Sequence, residues 1–401
     1  MASELPLRFN SRAPEVLSDP YPVYAELRAS GPLSRGGPGQ WVISRYADVV
    51  PLLRDRRLSH EYPPEYHEFS IGDGPANSFF QRIILDRDAP DHTRLRRLMA
   101  KAFSPRLVQR MHDFIEEQVE LLLAPGLDGG LFDAVTELAF PLPVMVVCEL
   151  VGIPPVDRDL VRPHAIQLAK AFALYVAEED RAAAHAAVAW LREYIGALLD
   201  ERGRNLGDDL LSQMLTAEVA EEPQARLSRE EIVDNTIFLF FAGFETTTNL
   251  IATSCAALLG HPRELARLRA DPGLLPSAVD EFLRYDAPIQ ATARMAVEEI
   301  RIGDRTIRPG RVVVLLLGSA NHDEERFEDP ERLDVGRSPN PHVSFGGGAH
   351  HCLGAGLARV EAQVALGRLL SRALRFEPAG EVVRIPSVTF RSYASVPVAL
   401  R

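Results

Sequence analysis

Apolar positions recur at helical spacing through most of this chain, and the longest such pattern runs from Ser228 to Gly260. Ser228 and Glu231 form the S-x-x-E signature in which side chain and backbone cap each other. Gly260, followed by His261-Pro262, is a stop signal. At about 1.5 Å per residue the helix would be on the order of 45 Å long, enough to cross a whole domain. A second helix is predicted from near Asp91 in DAPDHTRLRRLMAKAFSP, with His92 and Arg96 one turn apart on one face. A third, opened by Pro276-Ser277, places Glu281 and Arg284 on one face. After Cys352, the residues Leu353, Ala355, Leu357, Ala358, Val360, Glu361 and Ala362 read as the first turns of a fourth. No proline- or serine-rich linker, repeat or low-complexity segment interrupts these patterns, so residues 1–401 are expected to form one mainly α domain.

Two places break the pattern. In the middle of the long helix the run IFLFF leads into Ala242, Gly243, Phe244, Glu245 and three threonines. Glycine and β-branched residues weaken a helix interior, and threonine hydroxyls bond back to the preceding turn and bend it. A local opening beside a cofactor would use these features, although a threonine run alone fits an ordinary buried helix equally well. Glu245 weighs against the ordinary reading, because a carboxylate within an apolar helix is costly without a partner or a function.

The other break is FGGGAHHCLGAGLAR, residues 345–359. Glycines on both sides of Cys352 let the chain turn tightly against a flat group, and a core cysteine has no need of them. Placed at the positive end of the following helix, the sulfur would be favoured as thiolate, the form that ligates metal. Zinc is a poor fit: His350, His351 and Cys352 are consecutive, and no second Cys/His cluster stands at usable spacing. Cys148, in PLPVMVVCELVGI, and Cys255, on the long helix, read as buried apolar residues.

Composition narrows the class. A formal net charge of −12 argues against nucleic acid as partner. The first residues, MASELPLRFN, lack a signal-peptide pattern, and no apolar run is expected to reach membrane-spanning length. Three cysteines without evident pairing suit a reducing cytoplasm, and a monomer is expected. The basic residues are nearly all arginine, with lysine only at Lys101 and Lys170.

The residues Phe345, Gly346, Gly348, His350, Cys352 and Gly354 resemble the haem-binding signature of the cytochromes P450 at every defining position. Ala242, Gly243, Glu245 and Thr246 resemble that family's central-helix motif. The resemblance implies a single helix-rich prism with small β-sheets, and haem b (iron protoporphyrin IX) held by the Cys352 thiolate with Phe345 covering the proximal side. It implies propionate contacts at His92, Arg96, Arg294 and His350, and a buried network of Glu281, Arg284 and Arg332. Thr246 would donate a hydrogen bond on the oxygen side and Glu245 would help relay protons, which favours dioxygen over peroxide as oxidant. Arg94 and Arg97 would join a docking patch for an acidic electron donor, or simply form a solvated face.

By the same resemblance the substrate pocket draws on Phe79, Phe80, Leu168, Phe172, Phe238, Phe241, Ala242, Gln290, Ala291 and Tyr393. A soluble bacterial monooxygenase follows, hydroxylating a small apolar or aromatic molecule in secondary metabolism. Electrons would come from a ferredoxin and ferredoxin reductase, and the substrate would be free or tethered to a carrier protein. Phenol coupling or desaturation at the same haem is the second reading, and a haem sensor without turnover the third.

Overall fold

The capping box and the absence of proline yield one unbroken central helix, Arg229–Gly260, of 32 residues. Both reciprocal bonds of the Ser228/Glu231 box are present. In this computed structural model, which describes residues 7–102, 105–129, 131–173, 176–217 and 226–400, most other helices are arranged around that rod. The helices Pro141–Val151, Glu178–Arg204 and Ala355–Arg372 pack directly on it. Gly243 shows how closely: a Cβ built there would stand 3.1 Å from Val147 Cγ2. Cys148 and Cys255 are buried, as the apolar pattern predicts.

The stretch Ala134–Val151 departs from expectation. It is long and apolar enough to cross a membrane, with a mean hydropathy of 1.8 over 18 residues, yet 67% of it is buried within the protein. A π-helical turn, Ala134–Ala139, joins the helix Pro141–Val151 there, and its apolar side chains serve the main core against the central helix.

Five strands form the largest sheet: β1 (Ser34–Arg35), β2 (Gln40–Ile43), β3 (Leu58–Ser59), β4 (Ala291–Ala296) and β5 (Val312–Leu316), in the order β1-β2-β5-β4-β3. Only the β2–β5 pair is parallel. Strand alternation divides β5 between two clusters. Val313 and Leu315 pack with Val49 and Leu52, whereas Val312, Val314 and Leu316 join Tyr24, Leu27 and Ala291. Pairing of Ser59 with Met295 brings residues far apart in sequence to one edge of the site.

Candidate active site

Local backbone chemistry shapes the loop ahead of Cys352. Gly346 and Gly348 take φ of 68° and 67°, the left-handed region that glycine adopts without strain. A Cβ at Gly348 would lie 2.8 Å from the Leu53 carbonyl oxygen. The Cys352 N–H closes the loop on the Phe345 carbonyl at 3.0 Å. The following helix starts at Ala355 with Gly354 as its N-cap, so Leu353 lies outside it. Cys352 is exposed by area, yet protein atoms crowd its sulfur closely enough that desolvation dominates and pushes the thiol up. The Gly354 N–H, Arg96 and Arg359 pull the other way and do not prevail. The helix end thus favours the thiolate as expected but is outweighed by burial, and coordination would complete the loss of the proton, as it does for any metal-bound thiol. Phe345 lies beside the loop with the Arg359 guanidinium 4.5 Å from its ring centre.

On the central helix, Glu245 and Thr246 sit one turn beyond Phe241 and Ala242. The helix does not open there. Instead the Thr246 hydroxyl donates to the Ala242 carbonyl at 2.7 Å, the bond to the preceding turn that threonine makes inside helices. Burial raises the Glu245 carboxyl, which the Asn249 amide, 3.2 Å away, lowers only in part.

A third group of residues brings two arginines together with three imidazoles. The rings of His92 and His350 lie 3.9 Å apart between centres, and His350 stacks on His60 at 3.2 Å. Arg96 donates to the His351 carbonyl at 2.7 Å, while buried Arg294 is bonded only to Thr292 Oγ1 and the Ala293 carbonyl. Among the described residues none of these five side chains is hydrogen-bonded to a carboxylate. The electrostatic consequence is consistent: burial and neighbouring cations push His350 down to about 2, burial and Arg96 lower His92, and burial brings Arg294 down to about 10. His92 Nε2 is buried without a partner. Donors and cations packed together around an unanswered polar atom fit a group bearing carboxylates, and haem with its two propionates is such a group.

The chain matches the Cytochrome P450 family over residues 159–390. The chain belongs to the cytochrome P450 family. It is 40% identical to Cytochrome P450 107B1 of Saccharopolyspora erythraea, over 87% of this chain and 86% of that protein. Against Cytochrome P450 monooxygenase PikC of Streptomyces venezuelae the identity is 37%, over 96% and 92%. Among solved structures it resembles P450BioI in complex with hexadec-9Z-enoic acid ligated acyl carrier protein, with a TM-score of 0.91 and 34% identity over 96% of this chain and all of that one. The P450 fold expected from the sequence is thus present. As in the family, this P450 is a haem-thiolate monooxygenase whose axial ligand position falls on Cys352.

In this P450 the pair Glu281 and Arg284 is fully buried, with Nε to Oε2 at 2.8 Å and Nη2 to Oε1 at 2.9 Å. The third guanidinium is not that of Arg332. Arg332 is 60% exposed and pairs with Asp334; only its carbonyl accepts from Arg284. Arg337 takes the place instead, its Nε 3.1 Å from both Glu281 oxygens. The two arginines stand five residues apart in a turn-rich segment without helical register, so the sequence did not distinguish which one faces inward. Arg94 is likewise corrected as a docking residue: it bonds Glu231, tying its helix to the start of the central one, whereas Arg97 is exposed.

The distal pocket residues divide. Phe172 stacks on Phe241 with centres 4.1 Å apart and meets Phe80 at 4.9 Å and Phe238 at 6.2 Å; Phe79 adjoins Phe80 at 5.6 Å. Leu168 is buried in the same core, and Ala242 packs against it. Two others turn elsewhere. Gln290 donates to the Ala287 carbonyl and the Tyr21 hydroxyl, and its amide lies where a side chain on Gly318 would have to be. Alternation along β4 puts Ala291 on the Tyr24 side, opposite Thr292 and Arg294. Tyr393 is buried in the same core as Leu168, with the Arg384 guanidinium 4.5 Å from its ring centre. Phe390, 6.4 Å from Phe241, reaches the aromatic group instead and was missed because its segment has no motif. His60 was missed for a related reason: only the β3–β4 pairing brings it to Arg294, and no spacing in the sequence encodes that.

A surface cleft of about 190 Å³ near the start of the central helix lies about three turns from Glu245. Its Arg192 is already bonded to Asp234 and its Arg229 to Asp200, so it offers no comparable chemistry.

Proposed function

We propose that this P450 hydroxylates a small apolar or aromatic substrate in secondary metabolism, taking electrons one at a time from a ferredoxin served by a ferredoxin reductase. The observation that carries this reading is the phenyl group of Phe79, Phe80, Phe172, Phe238 and Phe241, one helical turn from Glu245 and Thr246. Flat apolar walls exclude water and orient an apolar molecule, while the polar turn supplies an acid and neighbouring alcohols on that helix.

His92, Arg96, Arg294 and His350 would hold the haem propionates and Cys352 its iron. Bound there, haem supplies the oxidising power that no side chain has, with the thiolate favouring O–O cleavage. Glu245, its carboxyl raised by burial, would take protons from solvent and release them toward Thr246. Thr246 would give up its bond to Ala242 to donate on the oxygen side. We place the enzyme in the cytoplasm as a monomer, with exposed Arg97 in the surface met by the donor. The relative crystallised with an acylated carrier protein makes a tethered substrate the alternative to a free one.

The test is reduction of the purified protein under carbon monoxide, followed by a screen of free and carrier-bound metabolites for spin-state shifts. A red-shifted Soret band and a product heavier by one oxygen support hydroxylation. A product lighter by two hydrogens would assign coupling or desaturation, and no substrate-dependent electron consumption would assign a sensor.

A further inference from the structure

His60 is the member of the cation cluster that touches two parts of the molecule at once. It directly follows β3, where Leu58 faces Ala296 and Ser59 faces Met295. Its ring, 6% exposed, lies within 10° of parallel to His350. On the other side its Nδ1 stands 2.9 Å from the Leu85 carbonyl oxygen. A carbonyl only accepts, so Nδ1 carries a proton, and Nε2 can meet a carboxylate only by carrying one too, with His60 as imidazolium.

Leu85 belongs to the short 3₁₀ turn Ile84–Asp86, whose Ile84 N–H is held by Asn235 Oδ1 of the central helix at 2.8 Å. Asp88 completes the closure, accepting from the Ser59 hydroxyl and the His60 N–H, while its own N–H donates to Glu61 Oε1 at 3.1 Å. Both ends of the segment 60–88 are therefore fastened at His60. Between them stand Phe79 and Phe80, the first wall of the aromatic group, with His67 stacked on Phe80 at 5.8 Å.

We propose that His60 is a positioning residue that presents one ring nitrogen to a haem propionate while the other holds Leu85, so that cofactor binding fixes the segment carrying Phe79 and Phe80. The inference rests on reading the cation cluster as the propionate site. An imidazole bonded at both nitrogens is far more restrained than one bonded at a single nitrogen, and the restraint passes directly to residues 83–88. The cofactor edge would thereby set the shape of the substrate wall.

The experiment uses the ferric holoprotein and its haem-stripped form, with two readouts: haem transfer to excess apomyoglobin, and amide hydrogen exchange over residues 83–88. In the wild type, stripping haem should raise exchange there. His60→Ala should lose haem about tenfold faster, the scale of one charge-assisted hydrogen bond. It should also show high exchange over 83–88 whether or not haem is bound. Faster haem loss with wild-type exchange, or raised exchange with wild-type haem retention, overturns the coupling. Arg294→Met, run alongside, separates the two ideas. If it retains haem like the wild type the propionate reading itself fails, whereas a silent His60→Ala beside a leaky Arg294→Met refutes only the role given to His60.

Discussion

Two buried groups of charge in this P450 follow opposite rules. Around Glu281 every partner is supplied by the chain: Arg284 and Arg337 take both carboxylate oxygens, and Asn340 adds a further donor. The spare nitrogens of Arg284 are absorbed by the carbonyls of Asn321, Pro330 and Arg332. Around His350 the chain collects His60, His92, Arg96 and Arg294 and, among the described residues, supplies no acid hydrogen-bonded to their side chains, with Asp86 and Asp88 acting on Arg294 only at longer range. The first arrangement is complete without a ligand. The second becomes favourable only when something anionic joins it, and that imbalance separates a binding site from a structural network more sharply than burial does, since both are buried.

The comparison is tested most severely at Arg284. Arg284→Ala leaves the fully buried Glu281 charge with Arg337 as its one remaining guanidinium and takes the donor from the carbonyls of Asn321 and Pro330, and breaking such a buried pair costs about 3–5 kcal/mol. Chemical denaturation should show most of the protein's stability gone. Arg332→Ala, five residues before the arginine that does join the network, should stay within about 0.5 kcal/mol of wild type by the same measurement, as exposed sites do. Equal losses at the two positions would mean that the Arg332 side chain joins the network after all.

Arg294→Met addresses the other group. The substitution removes a cation that burial disfavours more than nearby Asp86 and Asp88 favour it, so the haem-free protein should be about as stable as before in thermal unfolding. Haem retention should nevertheless fall at least about tenfold, because one charge-assisted partner of a propionate is gone. A variant that unfolds without haem would place Arg294 with Arg284 among the structural charges.

Which parts of this contrast were legible in the sequence follows from how local the signals are. The helix starts at Asp91 and Ser228, the glycines around Cys352 and the pair Glu281/Arg284 are encoded within a few residues, and each stands where the sequence puts it. Arg337 and His60 were not legible, because their partners lie 56 and more than 200 residues away and the intervening chain fixes no register. The pocket shows the same division: phenylalanines of helical segments face one another, whereas Ala291 was assigned without the alternation of β4 that turns it aside, and Gln290 without its bonds to Ala287 and Tyr21.

Thr246→Ala probes a polar group that the chain satisfies only provisionally. Its hydroxyl has a partner in Ala242, so deletion should cost little stability and leave the reduced CO spectrum intact. The expected change lies in coupling: with proton delivery impaired, roughly 10²-fold less of the electron flow should reach product, the lower end of what a positioned proton donor contributes, and the remainder should appear as peroxide. Full coupling would move the donor role to Thr247 or Thr248; the Thr248 hydroxyl is buried without a partner.

Glu245 extends the contrast to negative charge, with the smallest expected effect. Its carboxyl is raised by burial and has only the Asn249 amide for compensation. The folded state therefore prefers the protonated acid. Below the ordinary carboxylate range both folded and unfolded states hold the proton, and Glu245 costs nothing. As pH rises through the unfolded value the unfolded chain ionises freely while the folded one resists, so stability falls until the raised folded value is passed, and the cost is constant above it. Glu245→Gln cannot ionise, and its melting temperature should rise relative to wild type as pH goes from about 4 to about 8, with the two nearly equal at the acid end. A difference that shrinks toward alkaline pH would mean that the carboxylate is stabilised as an anion, placing Glu245 with Glu281 among the compensated charges and removing its qualification as a proton relay.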